Sequence, residues 1–159
     1  MRSTFLFLGV TSALLLGAPL LAQDAPSRLW DAAITGDTLE IREAIDDGAK
    51  IDSLDTRRNP NGRRALNWAA WHDRVAAIEL LLALGAPLEA ENNTGFSALH
   101  HAAESGSIAA ARVLLAAGAD PSHANKVGRR PAETARSQGH HEIAAMLEAA
   151  EREREAAEP

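Results

Sequence analysis

A period of 33 residues runs through this chain and constrains its fold more than any other feature. Glycine, alanine and leucine all recur at this spacing: Gly62, Gly95, Gly128, Ala69, Ala102, Ala135, Leu66 and Leu99. Several residue types that obey one period indicate repeated supersecondary units. A unit of this length cannot bury its own apolar face, so the units are expected to stack and share one continuous core.

The clearest unit begins at Gly95 and predicts two short helices. They are expected at about residues 98–104 and 108–117, and Gly118 can adopt the left-handed conformation that ends the second helix. Apolar residues at helical spacing predict one buried face at the junction between repeats: Leu99, Ile108, Leu114 and Leu115.

The segment from Gly95 to Gly106, Gly-Phe-Ser-Ala-Leu-His-His-Ala-Ala-Glu-Ser-Gly, resembles the ankyrin repeat pattern G-x-T-P-L-H-x-A-A-x-x-G. Units that begin at Gly62 and Gly128, and a degenerate first unit near Leu29, are similar to the same pattern. The resemblance covers residues 27–150. It implies an all-α solenoid of about four helix-turn-helix repeats with finger loops, a scaffold that does not by itself specify a chemistry.

Two departures from the period predict differences among the repeats. The spacing from Gly48 to Gly85 is 37 residues, which lengthens the first finger around residues 55–61. In the last unit Glu151 stands where a glycine would end the second helix, so that helix is expected to run on. We therefore expect the charged tail, residues 151–159, to cap the solenoid with a polar surface.

Residues 1–22 have the organisation of a signal peptide. Arg2 precedes an apolar stretch at residues 5–16, and a small residue stands just before the polar Gln23. A membrane-spanning anchor is the alternative, but spanning takes about 20 apolar residues and a glycine and a proline interrupt this stretch. We expect cleavage before Gln23, a short linker at residues 23–26, no stable membrane anchor afterwards, and a periplasmic or secreted product.

Composition argues against several chemistries. The chain has no cysteine, which excludes disulfides, a thiol nucleophile and a zinc–cysteine site. A net charge of −6 with only 4% aromatic residues argues against nucleic-acid binding. No nucleophile elbow, phosphate-binding loop or His-x-x-x-His pattern occurs, so no catalytic, cofactor-binding or metal-ligating residue is predicted and no enzyme is expected. The alternative is a metal site formed by histidines of different repeats that stacking brings together.

Ser97 and His100 stand where the ankyrin pattern has a threonine and a histidine. The resemblance implies a hydrogen bond between them that braces the turn against the helix. Other repeats have different pairs at these positions: Arg64 with Asn67, and Arg130 with Glu133. The second of these pairs can replace the hydrogen bond with a salt bridge.

Ankyrin-repeat proteins usually hold partners at the finger tips and on the exposed side of the first helices. Carried onto this sequence, those places predict a partner-binding set: Arg63, Trp71, His72, Phe96, Glu104, Lys126, Arg129 and Arg136. Packing against a neighbouring finger is the alternative for Trp71 and Phe96, whereas Trp30 and Trp68 are predicted core residues. Basic residues crowd the first and last fingers: Arg57, Arg58, Arg63, Arg64, Lys126, Arg129 and Arg130. They indicate a basic groove that suits an acidic protein surface. Solvated loops, whose field Glu89 and Glu91 in the middle finger partly neutralise, are the alternative.

Together these features predict a monomeric periplasmic protein that binds another protein through a rigid concave face and its finger loops, and so regulates or protects it. An immunity protein or secreted effector that neutralises or targets a protein is the second hypothesis. A metal-binding protein or an enzyme is the third.

Overall fold

The structure, a computed structural model, describes residues 20–157, with side chains from residue 24 onward. Residues 1–19 of the predicted signal peptide and residues 158–159 of the predicted tail lie outside the described residues. The described part contains eight helices and no strand: α1 (Leu20–Thr35), α2 (Thr38–Asp46), α3 (Ala65–Trp71), α4 (Val75–Ala83), α5 (Ala98–Ser105), α6 (Ile108–Ala116), α7 (Pro131–Ser137) and α8 (His141–Ala157). The predicted all-α class is confirmed.

The helices form four consecutive helix-turn-helix pairs arranged in two layers. Helices α1, α3, α5 and α7 pack against one another along the inner layer, more extensively than α2, α4, α6 and α8 do in the outer layer. Side-chain size explains the difference, because each inner helix carries small buried alanines: Ala32, Ala33, Ala69, Ala70, Ala102, Ala103, Ala132 and Ala135. Closer spacing of the inner layer makes that side of the stack concave.

The N-terminus of each inner helix after the first is fixed by the side chain of the third helical residue, which accepts a hydrogen bond from the backbone N–H of the residue just before the helix. In α5 the Nδ1 atom of His100 lies 3.3 Å from the Ser97 backbone nitrogen and 3.1 Å from its hydroxyl oxygen, as predicted. The corresponding backbone N–H groups donate to carboxamide or carboxylate oxygens in α3 and α7: Arg64 to Asn67 at 2.7 Å and Arg130 to Glu133 at 2.9 Å. The predicted Arg130–Glu133 ion pair is also present, at 3.3 Å.

Asp73 links two repeats at a position where the next repeats have glycine. Its φ of 56° is in the left-handed region, which aspartate tolerates better than most side chains. The Asp73 Oδ1 atom accepts a hydrogen bond from the backbone N–H of Ala110 at 2.7 Å. This carboxylate therefore caps α6 of the following repeat and favours the positive end of its dipole.

One continuous apolar core passes through all four pairs, from Leu29 in α1 to Leu147 in α8. Trp30 and Trp68 are 9% and 5% exposed, which confirms their predicted place in the core. Within the predicted apolar face, Leu99 and Leu114 are buried as expected. Ile108 and Leu115 are only partly buried. Helix α8 packs loosely on α6 and leaves a cavity beside Leu115.

The first and last helices extend beyond residues 27–150, the range that the ankyrin resemblance covers. Helix α1 includes residues 23–26, predicted to be a linker, and Ala25 within it is fully buried. At the other end α8 continues past residue 150 to Ala157, as the missing glycine predicts, and Glu151 is buried against Arg130 with a 3.0 Å ion pair. Within residues 20–157 no helix has the length and apolar character needed to cross a membrane.

The segments between the pairs form three fingers, which we define as finger 1 (residues 47–64), finger 2 (residues 84–97) and finger 3 (residues 117–130). Backbone hydrogen bonds join neighbouring fingers: the N–H of Asn93 donates to Asn61 at 2.8 Å, and that of Lys126 donates to Thr94 at 3.2 Å. Gly95 has a φ of +82°, and a Cβ atom there would lie 2.6 Å from the Lys126 nitrogen. Glycine at this position therefore permits the close approach of fingers 2 and 3.

Candidate functional site

A groove of about 300 Å³ lies where the three fingers meet inner helix α5. We call it the finger groove. Its lining residues are Asn59, Asn61, Arg63, Asn92, Thr94, Phe96, His101, Glu104, Asn125, Val127 and Arg129. These residues come from all three fingers and from α5, so the groove exists only when the repeats are stacked.

Arg63 forms one wall of the finger groove and is held by contacts on two sides. Its guanidinium carbon lies 4.6 Å from the ring centre of Trp68 and 4.0 Å from that of Trp71. Glu104 approaches the same guanidinium at 3.7 Å. Burial lowers the pKa of Arg63, and the charge of Glu104 opposes this shift. These contacts therefore hold the Arg63 guanidinium in one position, and it does not have to reorient when a ligand binds.

His101 forms the floor of the groove between two aromatic rings. The ring of Phe96 is centred 5.5 Å away and the ring of Trp71 6.2 Å away, and the Nδ1 atom of His101 lies 3.3 Å from a Glu104 oxygen. Burial lowers the pKa of His101, with a smaller contribution from the charge of Arg63, although Glu104 opposes the shift. The imidazole is therefore neutral at pH 7 and donates its Nδ1 proton to the Glu104 carboxylate.

Two buried asparagines, 33 residues apart, orient the side chains that reach over the groove. The Oδ1 atom of Asn92 accepts the backbone N–H of Phe96 at 2.9 Å, and the Oδ1 atom of Asn125 accepts that of Arg129 at 3.0 Å. Each carboxamide closes the tip of its finger as a backbone turn would. Phe96 and Arg129 are thus presented at equivalent positions of adjacent repeats.

The predicted basic surface of the first and last fingers is wrong for most of its arginines, because the fold pairs them with carboxylates. Ion pairs join Arg57 and Arg58 to Asp31, Arg57 to Asp55, Arg63 to Glu104, Arg64 to Asp52, and Arg130 to Glu133 and Glu151. Within residues 24–157, Lys126 and Arg129 are the two members of the predicted basic set that form no ion pair. Both members of that set without an ion pair therefore lie on finger 3.

The structure brings part of the predicted partner-binding set together. Arg63, Phe96, Glu104 and Arg129 line the finger groove, and Trp71 lies directly behind Arg63. The other three predicted residues do not line it. His72 stacks on Trp68 at 6.0 Å, the Lys126 ammonium donates to the Asn93 carbonyl at 2.9 Å, and Arg136 pairs with Glu148 of α8.

Several lining residues were not in the predicted set, including His101, Asn92, Asn125 and Val127. The two asparagines could have been found, because each precedes by three residues a glycine of the repeat. His101 follows the structural His100 directly, and only the tertiary contacts with Phe96 and Trp71 place it in the floor. Val127 is 81% exposed, which no sequence pattern indicated.

A larger cavity, of about 580 Å³, lies on the opposite, outer side between α6 and α8. Leu115 and Met146 supply apolar surface there, and Arg112, Glu153 and Arg154 surround it. Its walls come from α6, finger 3 and α8. None of the predicted partner-binding residues lines it. We therefore regard the finger groove as the candidate site.

Titratable side chains in the described part are not arranged to hold a metal ion. Within residues 24–157, no group of three or more histidine, aspartate or glutamate side chains converges on one point. His101 faces a single carboxylate, and His123 does likewise with Glu91 at 2.8 Å. The arrangement instead offers hydrogen-bonding and aromatic surface to a ligand.

This architecture is typical of a repeat scaffold that binds other molecules: helix pairs stack on one another, and the fingers between them enclose a groove. The family model for ankyrin repeats, three copies, matches residues 29–125, which is more than half of the chain. The chain belongs to the ankyrin-repeat family. Helices α7 and α8 lie beyond the match and add a fourth pair. A search of curated proteins found no sequence that matches this chain. Ankyrin repeats serve protein–protein interaction and are typically non-enzymatic, so the chain is a protein-interaction module.

Proposed function

We propose that this protein is exported to the periplasm and binds another protein in the finger groove, thereby regulating or protecting that partner. The observation on which this rests is the convergence of Arg63, Phe96, Glu104 and Arg129 from three consecutive repeats on one groove. Binding hot spots are enriched in aromatic and arginine side chains that are already held in position. The proposed function is binding alone and involves no covalent step. A preorganised surface gains affinity because it loses little conformational entropy on binding.

The apolar leader and the position of Pro26 support export. Pro26 lies inside α1, where it lacks the N–H that would otherwise donate to the carbonyl of Ala22. Removal of residues 1–22 would place Pro26 in the first turn of a helix that starts at Gln23, where this N–H has no intrahelical partner in any case. The intact mass of protein from its native host tests the proposal, and a full-length chain found with membranes would contradict it.

Phe96 is the residue with which we test the proposed interface. It is partly exposed, and its ring centre lies 5.1 Å from that of His100 and 5.5 Å from that of His101, so truncation removes contact surface without opening the core. We expect Phe96→Ala to retain the helicity of the parent and to weaken partner binding by about 2 kcal/mol. The measurement is affinity capture from periplasmic extract of the native host, followed by titration of the captured protein against each variant.

The matched control is Leu39→Ala. Leu39 is an apolar side chain on α2 that is 66% exposed and does not line the groove. The control should capture the partner as the parent does. Equal capture by the Phe96 variant and the parent would place the interface elsewhere and refute the proposed site.

A further inference from the structure

The finger groove has features that restrict the chemistry of its partner. Building on the proposed function, we infer that the partner contributes an extended segment in which an acidic side chain adjoins an apolar one. The acidic side chain pairs with Arg129, and the apolar one packs against Phe96 and Val127. Three independent observations support this assignment: the charges, the exposed apolar surface and the unpaired polar atoms of the groove.

The charges of the groove favour an anionic ligand. Its single lining carboxylate, Glu104, is already occupied by Arg63 at 3.7 Å and by His101 at 3.3 Å. Arg129, by contrast, is exposed and makes no ion pair with any side chain of residues 24–157, and Lys126 stands three residues before it. A carboxylate can accept two parallel hydrogen bonds from a free guanidinium. A basic ligand would find no free carboxylate in the groove.

Apolar surface is exposed directly beside this cation. Val127 is 81% exposed and lies two residues before Arg129, and Phe96 of the preceding finger lines the same groove. The other two large apolar residues that are conspicuously exposed in the described part, Leu39 and Leu84, lie outside it. A free small anion would leave Val127 in water, whereas an apolar side chain next to the acidic one would cover it.

The polar atoms left without partners point the same way. Among residues 24–157, three buried side-chain nitrogens have no hydrogen-bond partner: Arg63 Nε, His101 Nε2 and Asn125 Nδ2. All three belong to residues that line the finger groove, whereas the three unpartnered oxygens, on Ser53, Glu89 and Glu151, do not. Arg63 Nε and Asn125 Nδ2 are donors that lack an acceptor. His101 Nε2 is an acceptor that lacks a donor, because the neutral ring carries its proton on Nδ1, and a backbone N–H of an extended segment supplies that donor. The carbonyl and carboxylate oxygens of an extended acidic segment supply acceptors.

The span of the groove favours a peptide segment rather than a single small molecule. Its lining runs from Asn59 in finger 1 to Arg129 in finger 3, across three stacked repeats. An extended chain presents successive side chains and carbonyl groups along such a path. The volume of about 300 Å³ accommodates a few side chains of that segment, while the rest of the partner stays outside.

Panning a displayed library of short random peptides on the immobilised protein tests the inference. We expect enrichment of peptides in which aspartate or glutamate adjoins a large apolar residue. Arg129→Glu should lose this enrichment, and the best synthetic peptide should bind that variant at least about tenfold more weakly by fluorescence anisotropy. Binding to the parent should also weaken as salt is raised, since the contact lies at an exposed rim.

The control is Arg42→Glu, which changes the net charge equally but at an exposed position on outer helix α2. It should select and bind the same peptides as the parent. Val127→Asp is a second test that leaves Arg129 in place, and it should also reject the acidic peptides. Circular dichroism and denaturant unfolding establish that each variant is folded.

Enrichment without acidic residues, no enrichment at all, or unchanged binding by folded Arg129→Glu would overturn the inference. These outcomes are distinguishable from failure of the proposed function. A native partner whose capture depends on Phe96 but not on Arg129 would leave the interface in place and refute only the acidic character of the segment.

Discussion

At the scale of single residues, His100 shows how the fold fixes a protonation state. Its Nδ1 atom accepts from the Ser97 backbone, and its Nε2 atom donates to the Arg129 carbonyl at 3.0 Å, so the neutral ring satisfies both contacts. Burial lowers the pKa of His100 to about 4, partly opposed by the hydrogen bond to Arg129. An added proton on Nδ1 would face a donor, which reinforces the preference for the neutral form.

The depressed pKa of His100 predicts a loss of stability in mild acid. The unfolded imidazole takes up a proton as the pH falls through 6.5, whereas the folded one does so only near a pKa of about 4. The free energy of unfolding should therefore fall across this window, by up to about 1.4 kcal/mol per pH unit from this residue. His100→Asn copies the Asn67 of the preceding repeat and should show a shallower fall in denaturant titrations. Parallel pH profiles for parent and variant would contradict this account.

At the scale of elements, the fingers hold their positions through close backbone contacts with one another. The Lys126 N–H donates to the Thr94 carbonyl at 3.2 Å, and Gly95 stands beside this bond. Gly128 occupies the equivalent turn of finger 3 with a φ of +77°, but nothing lies within 4 Å of its missing Cβ. The two glycines thus share a backbone conformation and differ in their surroundings.

This difference predicts unequal effects of the same substitution. Alanine at either position adopts an unfavourable left-handed conformation, at a cost of about 1–2 kcal/mol. Gly95→Ala should be destabilised by at least about 1 kcal/mol more than Gly128→Ala, because its Cβ would displace the Lys126 backbone. Chemical denaturation of both variants measures the difference. Equal destabilisation would mean that fingers 2 and 3 are not in contact as described.

At the scale of the whole molecule, stability depends on burial between repeats. Leu114 is fully buried within the stack, whereas its neighbour Leu115 borders the outer cavity. Each helix pair buries its apolar face only against its neighbours, so a defect in α6 affects the pairs on both sides. Substituting each of these adjacent leucines therefore allows a fully buried position to be compared with a partly exposed one in the same helix.

We expect Leu114→Ala to lower the free energy of unfolding by about 2–5 kcal/mol, because it leaves a cavity that the surrounding helices cannot fill. Leu115→Ala should cost about 1 kcal/mol, since its side chain is partly exposed already. Urea unfolding followed by circular dichroism and by tryptophan fluorescence measures both values. Equal effects would show that the outer cavity is closed in solution.

The sequence by itself determined the architecture of this protein. Local spacing sufficed, because glycines at the helix ends, alanines in the inner helices and leucines at helical positions recur with one period. Such a signal depends only on neighbours along the chain and on the adjacent repeat. The resemblance to the ankyrin pattern implied the Ser97–His100 contact. The glycine missing from the last repeat predicted the continuation of α8 past Glu151.

Only the tertiary structure decided what the groove offers to a partner. Charge along the chain predicted a basic groove, but folding placed Asp31, Asp52 and Glu104 opposite arginines distant in sequence. Among residues 24–157, the members of the predicted basic set that keep no ion pair both lie on finger 3. His101 and Val127 acquired their places by burial and exposure that no local pattern encodes. Pairing and burial are properties of through-space distance, so residue type and spacing identified the scaffold but not the chemistry of its binding surface.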